Sequence, residues 1–261
     1  MVRRVKKEDT GTFLKFLGTA GARFVMIKQL RASGGIWVSS GGTDVVIDPG
    51  PGSIVRCNAS RPKLDPSQLD AIVLTHRHLD HCGDINVMIE AMTEGGFKKK
   101  GAVFCPKDAL DDDPVILRYV RTFPEKIELL RPEQTYEAGN FIFRTSPLHI
   151  HNVETYGLKF RLGNQTIGLL SDTRYFKGLE AFYKTDVLII GVVFFKPRPE
   201  IDHLSLDDAK CIIAAIRPRK AILSHFGMSM LSAKPSILAQ QLTRELRTEV
   251  VCAYDGMMLT F

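Results

Sequence analysis

Within seven residues, His76-Arg77-His78-Leu79-Asp80-His81-Cys82, the chain sets three imidazoles and a carboxylate directly after the apolar run Ala71-Ile72-Val73-Leu74-Thr75. No other feature restricts the fold as tightly. Imidazoles and a carboxylate crowded at one strand end lose hydration together, and only a counter-charge or a metal ion offsets that loss. On an extended backbone alternate side chains share a face, so His76 and His78 point the same way. Asp80 and His81 fall where the chain leaves the strand and turns toward a helix. Two ligand pairs result, and the segment reads as a metal-binding signature.

The same arrangement recurs along the chain. Val45-Val46-Ile47-Asp48, Ile167-Gly168-Leu169-Leu170-Ser171-Asp172 and Ala221-Ile222-Leu223-Ser224-His225 are further apolar runs that end in a residue suited to metal chemistry. Runs of this kind suit strands buried on both faces, with functional groups where the strand ends open into a crevice. Helices should therefore cover the sheets. Asp84 is the expected N-cap of a helix carrying Ile85, Met88, Ile89 and Met92 on one face. Ser205-Leu206-Asp207-Asp208 is a capping box that opens a second helix, with Ala209, Ile212, Ile213 and Ile216 inward until Pro218. A third helix is predicted over about residues 235–247, followed by closing strands at 250–254 and 257–261. The connection from Gly18 to Gly35 carries Arg23, Lys28 and Arg31 beside apolar anchors at Phe24, Val25, Met26, Ile27 and Leu30. It reads as a loop over a site.

The 261 residues, 44% of them apolar, hold no linker, repeat or low-complexity stretch, so a single domain over 1–261 is expected. The basic start Met1–Asp9 lacks the apolar core of a signal peptide, and no run reaches the roughly 18 apolar residues of a membrane span. A cytoplasmic protein without a membrane partner is the expectation. Five scattered cysteines without a CxxC pair argue against a disulfide framework and against a cysteine-based zinc clip. The net charge of +6, with clusters at Arg3-Arg4, Lys98–Lys100 and Arg217–Lys220, suits anionic substrates or nucleic acid. No aromatic residues interleave with these clusters as a stacking surface would require.

All seven histidines, His76, His78, His81, His149, His151, His203 and His225, lie in or beside these motifs, none left over as a scattered surface residue. Four distant segments sharing them is the pattern of a site assembled by folding. His76-x-His78-x-Asp80-His81, then His151, Asp172 and His225, with Asp48 upstream, resembles the metallo-β-lactamase superfamily over nearly the whole chain. Phe16-Leu17-Gly18-Thr19, Ser171-Asp172-Thr173 and His203 before the capping box resemble the branch that contains ribonuclease Z and the cyclic-phosphate phosphodiesterases.

The resemblance implies an α/β fold, a four-layer αββα sandwich of two mixed sheets covered by helices, with the site at the sheet edge. It also implies two divalent metal ions, with His76, His78 and His151 on one, Asp80, His81 and His225 on the other, and Asp172 as the bridge. The donors suit Zn²⁺ first, with Mn²⁺ or Fe as alternatives. His149 and His151 share a face; the distance of His151 from Tyr156-Gly157 fits the family pattern, which leaves His149 as a supporting or packing residue. Asp48 is expected to orient a ligand imidazole or to form an Asp-Pro-Gly turn. Thr75, Ser171 and Ser224, each next to a ligand, could support the same shell.

Two divalent ions, Asp80, Asp172 and a shared hydroxide sum to about +1, a centre that attracts an anion. Such a site suits phosphodiester hydrolysis by a metal-bridging hydroxide. Asp80 and His203 are the candidate catalytic residues, His203 as proton donor to the leaving oxygen, oriented by Glu200 or Asp202. Arg174, Lys196 and Arg198 are candidate phosphate contacts. The chain lacks the long arm that tRNA-binding ribonuclease Z carries between the ligand histidine and the bridging aspartate; only a hairpin turning at Gly163-Asn164 lies there. It also lacks the cysteine-rich zinc clip of the cyclic-phosphate phosphodiesterases. The expected partner is a small anionic or phosphodiester substrate, with nucleic acid allowed but not of the tRNA-arm type, and self-association into a homo-oligomer left open. The alternatives are a glyoxalase-II-like thioesterase or a lactonase of the same fold, and after these a non-catalytic nucleic-acid-binding protein.

Overall fold

The computed structural model describes residues 11–261, so the basic amino-terminal cluster at Arg3-Arg4 lies outside the described residues. Six strands come first: β1 (Phe13–Phe16), β2 (Ile36–Ser40), β3 (Thr43–Ile47), β4 (Ala71–Val73), β5 (Ala102–Cys105) and β6 (Lys126–Leu129). Eight follow: β7 (Thr135–Ala138), β8 (Phe141–Thr145), β9 (Leu158–Leu162), β10 (Gln165–Leu170), β11 (Val187–Gly191), β12 (Lys220–Ser224), β13 (Glu249–Cys252) and β14 (Met258–Thr260). The helices are α1 (Ala22–Ile27), α2 (Ser53–Ala59), α3 (Leu79–Cys82), α4 (Ile85–Met92), α5 (Leu179–Phe182), α6 (Leu206–Ile216), α7 (Met228–Ser232) and α8 (Pro235–Leu246).

The strands form two seven-stranded sheets in the orders β14-β1-β2-β3-β4-β5-β6 and β13-β12-β11-β10-β9-β8-β7. Both are mixed. Strands β3 to β6 run parallel in the first and β10 to β13 in the second, while the remaining pairs are antiparallel. The sheets pack on each other through one buried cluster that includes Leu14, Val45, Phe104, Phe143, Phe160 and Ile189. A second cluster buries the apolar faces of α2 and α4 on the first sheet, and a third does the same for α6 and α8 on the second. This is the expected four-layer sandwich. The central parallel strands β4 and β5 are buried at every residue because both faces are covered, whereas β8 alternates buried and exposed residues as a strand with one wet face does.

Local signals decide where these elements start. The capping box forms: Ser205 Oγ accepts from Asp208 N, and Asp208 Oδ2 accepts from Ser205 N. Gly163-Asn164 makes the two-residue turn between β9 and β10, with Gly163 at φ +54. Asp84 departs from expectation. It stands at the N-cap position of α4 with non-extended backbone and no capping bond there; its Oδ2 accepts from Ile54 N at 3.0 Å, in the first turn of α2. The carboxylate thus ties two helices together across the loop that delivers α3. The Gly18–Gly35 connection also differs from a plain loop. It holds α1, anchored by fully buried Val25 while Phe24 and Ile27 face solvent. With its large apolar side chains on the exposed side, α1 lacks the periodicity that marks a helix in sequence.

Candidate metal centre

The parallel strands β3, β10 and β12 each end at a site residue, and β4 leads through Leu74-Thr75 to His76. Parallel pairing aligns the carboxyl ends of β3 and β4 in the first sheet and of β10, β11 and β12 in the second, and the packing of the two sheets brings the two sets of ends to one edge of the sandwich. Asp48 and His225 sit just past their strands in the left-handed region, at φ +53 and +57. Such backbone costs a non-glycine residue about 1–3 kcal/mol and is kept where the surroundings enforce it. Backbone approaches are equally tight: a Cβ on Gly50 would lie 2.0 Å from the Asp80 carbonyl oxygen, so only glycine fits beneath that turn.

Asp172 is the centre of the cluster. Its Oδ2 lies 3.5 Å from His76 Nε2, 3.6 Å from His81 Nε2 and 3.5 Å from His203 Nδ1, and its Oδ1 lies 3.4 Å from His225 Nδ1. Asp80 Oδ2 lies 3.4 Å from His225 Nε2 and 3.8 Å from His81 Nε2. Two groups of donors, His76, His78, His151 with Asp172, and Asp80, His81, His225, each fall within 4.8 Å of one another and could hold a cation. His203 belongs to neither.

The imidazoles are turned by bonds on their far side. Thr75 Oγ1 gives its proton to Asp48 Oδ2 at 2.7 Å, so His76 Nδ1 donates to that hydroxyl at 3.1 Å. Ser171 Oγ lies 2.9 Å from the same hydroxyl, whose proton is already committed to Asp48, so the serine donates as well. His81 Nδ1 donates to Asp48 Oδ2 at 2.9 Å, and His151 Nδ1 to the Asp202 carbonyl at 2.9 Å. Each bond places a ring proton on Nδ1 and turns Nε2 toward the cluster. There those Nε2 atoms meet other ring nitrogens: His81 Nε2 is 2.9 Å from His225 Nε2, and His151 Nε2 is 3.1 Å from His78 Nδ1. His76 Nε2 and His225 Nδ1 are buried without any hydrogen-bond partner. Buried polar atoms are almost always satisfied, so orphaned nitrogens that converge on carboxylates fit divalent cations.

The electrostatics agree. Burial pushes His76 down to about 3 and His78 down to about 4, so both are neutral donors at ordinary pH. Burial alone would lower His81 too, but the Asp80 and Asp48 carboxylates beside it raise it well above its usual value, so without a cation this ring also carries a proton on Nε2, which a bound cation would displace. Burial opposes ionisation of Asp172, yet His225 and His203 hold it well below the usual carboxylate range. The cluster draws positive charge inward, as three carboxylates in a buried pocket must.

Asp48 could offer an oxygen to a cation, since it groups with His76 and His81. Its oxygens are already engaged by Thr75 N at 2.6 Å, Thr75 Oγ1 and His81 Nδ1, which makes it the residue that orients His81. Asp48→Ala is expected to weaken metal affinity about 10- to 100-fold, the usual effect of losing a partner behind a ligand. Competition with a chromogenic chelator reads this out, and unchanged affinity would assign Asp48 to the turn alone.

His149 is turned away from the cluster. Its Nδ1 donates to the Asp172 carbonyl at 3.0 Å and its Nε2 accepts from Tyr183 Oη at 2.7 Å. Burial pushes it down to about 4. A ring that stays neutral in the fold but takes up a proton near pH 6.5 when unfolded stabilises the fold fully above pH 6.5, and that stability is lost as pH falls toward 4. His149→Leu should therefore reduce the acid dependence of unfolding free energy in this window by about one proton, or about 1.4 kcal/mol per pH unit. Urea titrations of the metal-free protein from pH 7 down to 4.5 measure it; an unchanged slope would mean that His149 takes up its proton in the fold as readily as in the unfolded chain.

The remaining candidates divide. Arg174 Nε lies 3.5 Å from Asp202 Oδ1, and Lys196 Nζ lies 3.5 Å from Asp207 Oδ2, both outside the cleft above the cluster. Arg198 and Glu200 line that cleft. Glu200 and Asp202 make no hydrogen bond or ion pair with His203, contrary to expectation: its Nδ1 faces Asp172, and the Asp202 carboxylate lies against Arg174. Thr75, known in sequence only as a strand-end hydroxyl, is the hub joining Asp48, His76 and Ser171. Leu79, Phe194, Ile201 and Met228, unmarked as functional in sequence, line the cleft with α1. Among the described residues no helix is long and apolar enough to cross a membrane.

Known proteins share this architecture. A 30% identical relative, the uncharacterized protein MJ1374 of Methanocaldococcus jannaschii, aligns over 93% of this chain and 92% of its own length. The crystal structure of YhfI from Bacillus subtilis, described as a metallo-β-lactamase fold protein, superposes with a TM-score of 0.78 at 20% identity, covering 96% of this chain and 99% of that one. A structure described as a new diphosphatase from the PhnP family gives 0.72 at 19% identity, covering 96% and 98%. The family model for the β-lactamase superfamily domain matches residues 43–226, from β3 to just beyond His225, and with that match the chain belongs to the metallo-β-lactamase superfamily of metal-dependent hydrolases.

Proposed function

We propose that the chain is a dinuclear metal-dependent phosphodiesterase. The observation that carries this is the set of inward Nε2 atoms of His76, His81 and His151, fixed by Thr75, Asp48 and the Asp202 carbonyl and gathered with Asp172. In this reading His76, His78 and His151 would hold one cation and Asp80, His81 and His225 the other, with Asp172 within reach of both groups. An imidazole-rich set with few carboxylates suits Zn²⁺. Bound divalent cations lower the pKa of water and neutralise charge that develops on phosphoryl oxygens.

The chain's own groups supply the rest. Asp80, facing His81 and His225, accepts a hydrogen bond from the attacking water and fixes its direction. His203 stands beside Asp172 without belonging to either donor group, where its imidazole can deliver a proton to the leaving oxygen. The PhnP-family neighbour described as a diphosphatase supports phosphorus as the electrophile. Between His151 and Asp172 the chain holds only the β9–β10 hairpin, which favours a small substrate over tRNA.

The test is turnover of bis(p-nitrophenyl) phosphate by protein loaded with Zn²⁺ or Mn²⁺, alongside thioester and lactone substrates. Diester hydrolysis that a chelator abolishes and added metal restores is expected. Selective acyl hydrolysis with a silent diester assay would replace this reading by a thioesterase or lactonase.

A further inference from the structure

The cleft above the cluster has a volume of about 890 Å³, far more than a phosphoryl group fills. Its floor is His78, Asp80, His151, Asp172 and His203. One wall is α1 with Leu79, where Phe24, Ile27 and Leu79 are 65%, 68% and 66% exposed. The facing wall carries Phe194, Ile201 and Met228. Water contact is costly for so much apolar surface beside a polar centre, and exposed patches of this kind mark binding sites.

Two cations share the cleft. Neither Arg23 nor Arg198 has an ion-pair partner among the described residues, and the Arg198 guanidinium lies 5.0 Å from the centroid of Phe194. A guanidinium stacked on an aromatic face is held flat with its donors at the edge, ready for anionic oxygens. The apolar wall is also fixed in place: Val25 is fully buried, and Gly21 N at the start of α1 donates to the Phe226 carbonyl next to His225 at 3.0 Å. The wall is thus tied to the same backbone that positions a site residue.

We infer that the substrate is a small phosphodiester with an aromatic ester group, the ring seated against Phe24, Ile27 and Leu79 and the phosphate turned toward the cluster. Arg198 and Arg23 hold further anionic oxygens of the same molecule. This rests on the phosphodiesterase reading for its reactive group, while the ring subsite rests on the cleft.

Phenylphosphonate and methylphosphonate share an anionic head, differ in the ring and are not hydrolysed, so isothermal titration of the metal-loaded protein isolates the subsite from the reaction. The phenyl compound should bind about tenfold more tightly, in line with burial of one ring face on apolar side chains. Phe24→Ala should remove most of that preference while methylphosphonate affinity changes less than about twofold, since only the ring contact is lost. Phe24 is mostly exposed, and circular dichroism checks that the variant folds. Equal affinities in the parent protein, or a preference that Phe24→Ala leaves intact, would overturn the inference. A ring preference beside a silent diester assay would retire the reaction and keep the aromatic subsite. Light scattering that shows a dimer dissociated by Phe24→Ala, with ligand affinity unmoved, would assign the wall to a second copy of the chain and overturn it as well.

Discussion

Asp172→Asn is expected to lower metal-dependent hydrolysis by at least about 10³-fold, equivalent to about 4 kcal/mol of lost transition-state stabilisation, and to reduce bound metal from two equivalents toward one. The reason lies in its position. One carboxylate faces four imidazoles, His76, His81, His203 and His225, at 3.4 to 3.6 Å. Asparagine keeps the shape but removes the charge and turns one acceptor into a donor, which would point at ring nitrogens or cations. Because neighbouring imidazoles hold Asp172 well below the usual carboxylate range, it is ionised across any practical assay pH, and the substitution removes a full charge. Fold stability need not suffer, since the carboxamide fits the same volume. Elemental analysis beside turnover decides the matter: a variant that keeps two equivalents and the parent rate would show that Asp172 does not join the two donor groups.

The site was legible in sequence where ligands follow strands. His76, His78, Asp80 and His81 fall within six positions, and Asp172 and His225 follow apolar runs, so strand polarity places each group at the carboxyl end of its own sheet, and the stacking of the two sheets joins them. The choice of His151 over His149 was not readable from residue type, because both lie on one face of the same segment. Tertiary contacts separate them: Tyr183 and the Asp172 carbonyl occupy both nitrogens of His149, whereas the Asp202 carbonyl takes only one from His151. The Asp84 carboxylate illustrates a second limit. A cap is inferred from local order, but the unsatisfied amide of Ile54 lies thirty positions away in sequence and wins the bond in space. α1 marks a third limit, since Phe24 and Ile27 face the cleft and only Val25 is fully buried, which breaks the pattern by which helices are recognised. Glu200 and Asp202 are plausible partners of His203 by adjacency, yet the Asp202 carboxylate lies against Arg174, and His203 Nδ1 faces Asp172.

His203→Ala should lower the rate by about 10² to 10⁴-fold, with both metal equivalents retained, if His203 supplies the proton to the leaving oxygen. Metal retention follows from geometry, because His203 lies outside both donor groups, meeting the cluster through Asp172 Oδ2 at 3.5 Å and an edge contact with the His151 ring at 5.1 Å between centroids. A proton donor matters in proportion to the basicity of the departing group. An alkoxide leaves poorly without protonation, while p-nitrophenolate leaves readily. The full loss is therefore expected with an alkyl leaving group, and a much smaller one with bis(p-nitrophenyl) phosphate. A residue that merely shapes the cleft or binds a phosphoryl oxygen would reduce both reactions alike, so the ratio of the two losses, rather than either rate, identifies the role. Equal losses would leave His203 as a binding group, and the proton would have to come from water.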